Sequence, residues 1–215
     1  MSNSRLAQCR LYGFIDTTYI DDLDPGELAR DLIAGGVDIL QVRAKERTHP
    51  ERVAIGLKVV SAAFSSHVPV IIDDDVEAAF ECGAHGVHLG QEDWAAIPRE
   101  QRVERLANMR IVGISTHSLD QALAAERDGA SYIGIGPVFP TPTKPAAKSI
   151  GTEVLGQVAA QVKIPFFAIG GITMGNIGQV LEAGATRVAV VSAILKAPDV
   201  AAACAEFKNR LGKTI

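Results

Sequence analysis

Large aromatic side chains are scarce in this chain: one tryptophan, three tyrosines and seven phenylalanines among 215 residues. A core made without them has to come from Val, Ile, Leu and Ala, and an apolar fraction of 47% over this length is enough to bury a sizeable one. Cysteine is nearly absent as well. Cys9, Cys82 and Cys204 are an odd, widely separated set without metal-ligand spacing. With no hydrophobic signal core between Met1 and Arg10, they point to a reduced, cytoplasmic compartment. An excess of positive charge is missing too: the net charge is −4, which argues against nucleic acid as the main partner. No apolar run approaches membrane-spanning length, so no membrane partner is expected.

What is present is a regular alternation of short apolar runs with capped helical stretches. Strands are expected at Leu11–Ile15, Val37–Val42, Val68–Ile72, Gly86–Leu89, Ile111–Ile114, Tyr132–Ile135, Phe166–Ile169 and Arg187–Val191. Asp24, Pro25 and Glu27 read as N-cap, N1 and N3 of a helix to about Ala34. Further helices are expected from Pro50 to Ser65, Val76 to Cys82, Pro98 to about Asn108, Ser118 (with Gln121 as capping-box partner) to Asp128, Glu153 to Gln161, Asn176 to Ala183, and Asp199 to Leu211.

A repeat supports the count. GGVDILQV from Gly35, GAHGVHLG from Gly83, GASYIGIG from Gly129 and GATRVAVV from Gly184 are alike, each a helix-ending glycine followed by a β-branched-rich strand. They precede the second, fourth, sixth and eighth strands, so the repeating unit is a pair of βα modules. Eight modules in this length predict a (β/α)8, or TIM, barrel as a single domain over residues 1–215. A doubly wound open sheet is the rival, but no Gly-rich dinucleotide fingerprint follows the first strand.

Active sites of such barrels lie at the C-terminal ends of the strands. There the chain has Gln41, Arg43 and Lys45, spaced by two and so on one face of an extended strand end, as an anion clamp would be. Long basic side chains merely snorkelling at the rim are the plainer alternative. Asp73, Asp74 and Asp75 follow the third strand, and Gln91, Glu92 and Asp93 the fourth. Asp74 and Asp93, from adjacent loops, could hold a hard divalent ion such as Mg2+, or be solvated acids; Asp75 stands where a helix N-cap belongs. Ser115, Thr116 and His117 follow the fifth strand, and His88 and His117 read as packing or hydrogen-bonding groups. After the sixth strand comes GIGPVFPTPTK, a proline-stiffened loop whose Thr141, Thr143 and Lys144 suit a phosphate or pyrophosphate ester. Gly170-Gly171 in AIGGIT and Val191-Ser192 in VVSAI form a second candidate anion site after strands seven and eight.

In that order, QVRAK, DD at Asp73-Asp74, HLGQED, STH, GPVFPTPTK, AIGGIT and VVSAI resemble the thiamine-phosphate synthase (thiamine-phosphate pyrophosphorylase) family from about Leu11 to Leu195. The resemblance implies a transferase that joins 4-amino-2-methyl-5-(diphosphooxymethyl)pyrimidine to a thiazole ethyl phosphate, giving thiamine phosphate and pyrophosphate. It implies that Gln41, Val42, Arg43, Ala44, Lys45, Asp73, Ser115 and Lys144 bind the pyrimidine diphosphate, and that Arg43, Lys45, Ser115 and Lys144 are catalytic. Thr141, Pro142, Thr143, Gly171, Val191 and Ser192 match the thiazole-phosphate site, and Asp74 and Asp93 the Mg2+ ligands.

Two positions depart from that pattern: Asp73 stands where the family usually has asparagine, and Ala44 where it commonly has glutamate. A related barrel that tautomerises a thiazole carboxylate phosphate, and a non-catalytic phosphate-binding barrel, are the competing readings. Oligomeric state, homo-oligomer included, is left open by the sequence.

Overall fold

A computed structural model describes residues 6–20, 23–106, 109–143 and 147–212. Eight strands, β1 (Leu11–Asp16), β2 (Ile39–Arg43), β3 (Val70–Asp73), β4 (Gly86–Leu89), β5 (Ile111–Thr116), β6 (Tyr132–Ile135), β7 (Phe166–Ile169) and β8 (Val188–Ala189), close in sequence order into a parallel barrel. The helices between them are α1 (Pro25–Ala34), α2 (His49–Ala63), α3 (Val76–Glu81), α4 (Gln91–Ala96), α5 (Arg99–Arg105), α6 (Leu119–Arg127), α7 (Gly151–Gln161), α8 (Ile177–Glu182), α9 (Ser192–Leu195) and α10 (Val200–Gly212). The expected (β/α)8 barrel is therefore what the chain forms.

Local chemistry sets the element ends. Asp24 Oδ1 accepts from the N–H groups of Gly26 and Glu27 at 2.9 and 3.1 Å, ahead of Pro25, so α1 starts where the sequence places it. Its Oδ2 accepts from Lys58 at 2.7 Å, tying α1 to α2. Gly36, Gly83, Gly129 and Gly184 have φ of +92°, +69°, +90° and +91°, the left-handed helix exit that the repeated junctions use.

Several expected element bounds shift, the eighth strand among them, which is Val188–Ala189 rather than Arg187–Val191. β2 begins at Ile39 rather than Val37, because the Asp38 carboxylate turns back to accept from the N–H groups of Arg10 and Leu11 at 2.8 and 2.9 Å. β3 begins after Pro69, which has no N–H to give to a ladder, rather than at Val68. Gln91–Ala96 and Ser192–Leu195 are short helices where loop and strand ends were expected. The proposed end of α5 near Asn108 lies outside the described residues.

Leu11, Ile15, Ile39, Ile71, Val87, Ile133, Phe167 and Val188 are among the fully buried wall residues. The buried polar side chains among the described residues are Asp16, Gln41, Asp75, His88 and Thr116, and all but Asp75 stand on barrel strands. A Cβ at Gly113 would overlap the Tyr132 ring and the His88 imidazole, so glycine there makes the room in which these two meet.

Candidate active site

A cavity of about 480 Å³ opens at the C-terminal ends of the strands. It is lined by Gln41, Arg43, Lys45, Asp73, Asp74, Asp93, Ser115, Thr141, Thr143, Gly171, Val191 and Ser192, which brings together twelve of the residues singled out in the sequence. Val42 and Ala44 are not among its walls. The alternation along β2 turns Val42 into the packed layer behind the strand, and Ala44 is buried beside it, with its carbonyl accepting from Arg52. Pro142 also stays off the cavity wall, whereas Thr141 and Thr143 on either side reach it. Lys144 lies outside the described residues.

Each cation of the expected clamp is already matched by acid. Arg43 Nη1 donates to both oxygens of the buried Asp16, at 3.2 and 3.0 Å. Its Nε stands 4.0 Å from Asp73. Lys45 pairs with Asp73 at 3.3 Å and with Asp74. Asp73 also accepts from Gln41 Nε2 at 2.6 Å. The substituted Asp73 is thus a counter-charge to the two cations.

Asp74 has φ +60°, a left-handed conformation that Asp tolerates better than most residues, and its N–H donates to the carbonyl of His88. This turn aims Asp74 into the cavity. Asp93 sits in the first turn of α4, not on a loop, with Oδ2 turned back over Gly90. No group of three or more protein metal ligands occurs among the described residues. Two carboxylates on one wall are nonetheless the donor set that Mg2+ takes when substrate phosphates and water complete its shell, and Asp74 and Asp93 fit it.

Asp75 is the N-cap of α3, accepting from Ala78 N at 2.8 Å. Burial works against its ionisation, but the bonds from Ala78, His49 and Arg52 outweigh it and hold the carboxyl below its ordinary value. Hydrogen bonds to Asp75 and then Glu81 raise the His49 pKa above 6.5. A folded value above the unfolded one stabilises fully below pH 6.5 and is lost as pH rises through the raised value. The gap in thermal midpoint between the parent and His49→Gln should therefore narrow from about pH 5.5 to about pH 8.5. A gap that stays constant or widens would contradict the pairing.

The second half of the site is built by loops. Gly170 and Gly171 have φ of +98° and +65°. The next helix, α8, begins only at Ile177, so in this half of the site the helix start that lines the cavity is that of α9, at Ser192. Tyr19 from the β1 loop meets Thr143 Oγ1 at 2.9 Å, joining two loops over the cavity.

The floor adds two tyrosines that sequence reasoning did not single out, and there His88 takes the hydrogen-bonding role expected of it. Tyr12, His88 and Tyr132 line it together with Gln41 and Ser115. Tyr12 Oη is 2.8 Å from both Gln41 Oε1 and Tyr132 Oη. His88 bridges Tyr132 Oη and Ser115 Oγ, both at 2.9 Å. Burial, reinforced by the charge of Asp73, pushes both phenols above their ordinary value, so they remain hydroxyls.

Residues 11–194 match the family model described as thiamine monophosphate synthase. The chain is 38% identical over 204 residues to a thiamine-phosphate synthase of Halalkalibacterium halodurans, covering 94% of this chain and 95% of that one. It is 43% identical over 180 residues to one of Thermus thermophilus, covering 83% and 85%. Among solved structures, thiamine phosphate pyrophosphorylase from Pyrococcus furiosus superposes with a TM-score of 0.86 at 35% identity, over 99% of this chain and 98% of that one.

Proposed function

The chain belongs to the thiamine monophosphate synthase family of transferases, and on that premise we propose that it joins 4-amino-2-methyl-5-(diphosphooxymethyl)pyrimidine to a thiazole ethyl phosphate, forming thiamine phosphate and pyrophosphate. The observation that carries the substrate reading is the convergence of Arg43, Lys45, Asp74 and Asp93 on one cavity at the strand ends. Such a set of charges suits a diphosphate leaving group better than a single phosphate ester.

Pyrophosphate leaves readily only when its growing charge is met. Arg43, Lys45 and Lys144 are the cations assigned to meet it. Asp74 and Asp93 would hold Mg2+, which supplies further neutralisation of the diphosphate oxygens. The aminopyrimidine stabilises a cationic methylene, so the carbon–oxygen bond can break before the thiazole nitrogen attacks. No protein nucleophile is required, and Gln41 and Ser115 orient the ring while Thr141, Thr143, Gly171, Val191 and Ser192 hold the thiazole phosphate. The test is direct: purified chain, both substrates and Mg2+, with the product identified by mass. Absence of thiamine phosphate under conditions where a related synthase makes it would overturn the reading, and would favour a non-catalytic phosphate-binding barrel.

Asp73 modulates this chemistry. Its carboxylate competes with the diphosphate for Lys45. Asp73→Asn keeps the shape and removes one charge from a partly solvated site, worth on the order of 1 kcal/mol. The variant should bind the pyrimidine diphosphate several-fold more tightly and the thiazole phosphate unchanged, by titration at fixed Mg2+ and salt. Weaker diphosphate binding would instead make Asp73 a direct ligand of the pyrimidine.

A further inference from the structure

The bonds on the cavity floor join into one chain, Asp73–Gln41–Tyr12–Tyr132–His88–Ser115, with links of 2.6, 2.8, 2.8, 2.9 and 2.9 Å. It runs from the end of β3 across the barrel floor to β5, and both ends line the cavity. We propose that this chain has a single polarity, fixed at its Asp73 end, which leaves Ser115 able only to accept from a ligand and so selects an amino heterocycle over its oxo counterpart.

The direction follows link by link. Asp73, ion-paired to Lys45, is an acceptor-only carboxylate, so the group facing it must be the Gln41 NH2. Gln41 Oε1 then faces Tyr12, whose one hydroxyl proton is used there. Tyr12 can meet Tyr132 only by accepting, which uses the Tyr132 proton in turn. His88 Nδ1 must therefore carry a proton to reach Tyr132, and in a neutral imidazole this leaves Nε2 bare. Ser115 donates its proton to Nε2 and keeps only lone pairs for the cavity. Reversing the chain would set Gln41 Oε1 against a carboxylate oxygen at 2.6 Å, two acceptors without a proton between them. Tyr12, Tyr132 and His88 act here as positioning residues, since the pyrimidine ring is assigned to Gln41 and Ser115.

This inference rests on the aminopyrimidine reading of the substrate, and its test separates the two. In ligand-free protein labelled with 15N-histidine, the His88 signal, assigned by its loss in His88→Gln, should show a pyrrole-type Nδ1 and a pyridine-type Nε2. Without the thiazole phosphate, the 4-amino pyrimidine diphosphate should bind about ten- to a hundredfold more tightly than its 4-oxo counterpart, an acceptor facing an acceptor. Tyr132→Phe keeps the ring but removes the group that holds the proton on Nδ1. It should mix the two tautomers and reduce that ratio several-fold, and should it not fold, the two parent measurements still decide. A proton on Nε2, or on both nitrogens, overturns the polarity even if thiamine phosphate is made, and so does equal affinity for the two diphosphates. If neither diphosphate binds and no product forms, the activity reading and the selection inferred from it fall together, and the imidazole spectrum still decides the polarity.

Discussion

An Asp74→Asn, Asp93→Asn double variant should turn over about a thousandfold more slowly than the parent, and the parent itself should stop in excess chelator and recover with Mg2+. Asparagine is chosen over alanine for a structural reason. Asp74 sits at φ +60°, where alanine strains the backbone and asparagine does not, so the loss can be attributed to charge. Both side chains line the cavity, and neither is among the buried residues that hold the barrel together. Removing two negative charges leaves Lys45 and Arg43 in place, so a purely electrostatic account without metal expects the opposite result, tighter binding of the diphosphate and undiminished turnover. Metal binding followed by calorimetry gives a readout apart from activity, and the parent should bind Mg2+ in the presence of pyrophosphate where the double variant does not. Full turnover of the double variant in chelator would remove the metal from the mechanism.

The barrel was legible because its signal is local and repeated. Helix-ending glycines at Gly36, Gly83, Gly129 and Gly184, followed by short β-branched strands, mark the junctions without any long-range information. The wall of the site was legible for the same reason: period-two alternation on β2 sends Gln41 and Arg43 to the cavity and Val42 away from it. That same alternation could have kept the Val42 and Ala44 side chains off the cavity wall. The helix at Gln91–Ala96 was missed because six residues are too few for an apolar period to show. Least legible was the floor. Tyr12 meets Tyr132 across 120 positions and His88 meets Tyr132 across 44, contacts that exist only once the barrel closes. A histidine in a strand reads as a packing or hydrogen-bonding group, and which partners it takes is known only once the residues opposite it are.

Gly171→Val should be the most damaging single substitution in the phosphate half of the site, and its effect should fall mainly on the thiazole phosphate. The residue has φ +65°, which a β-branched side chain tolerates poorly. A Cβ there would stand 2.5 Å from the carbonyl oxygen of Pro140 and 2.8 Å from Phe139 Cβ, so it presses on the β6 loop. That loop is fastened to the end of β7 by Val138 N to Ile169 O at 2.8 Å and Phe139 N to Gly170 O at 3.0 Å. Displacing Phe139 and Pro140 therefore carries Thr141 and Thr143 with them, two of the residues assigned to the thiazole phosphate. Strain and overpacking together cost about 2–4 kcal/mol, visible as a lower thermal midpoint. The Michaelis constant for the thiazole phosphate should rise at least about thirtyfold, and that for the pyrimidine diphosphate by roughly a tenth of that factor, since Arg43 and Lys45 belong to β2 and its loop, away from β7 around the barrel. Gly171→Ala meets the same oxygen without the branch and should show the same ordering at smaller amplitude. A fall in thermal midpoint with equal effects on the two substrates would mean that Gly171 serves the fold alone, and the thiazole phosphate would then have to be placed elsewhere.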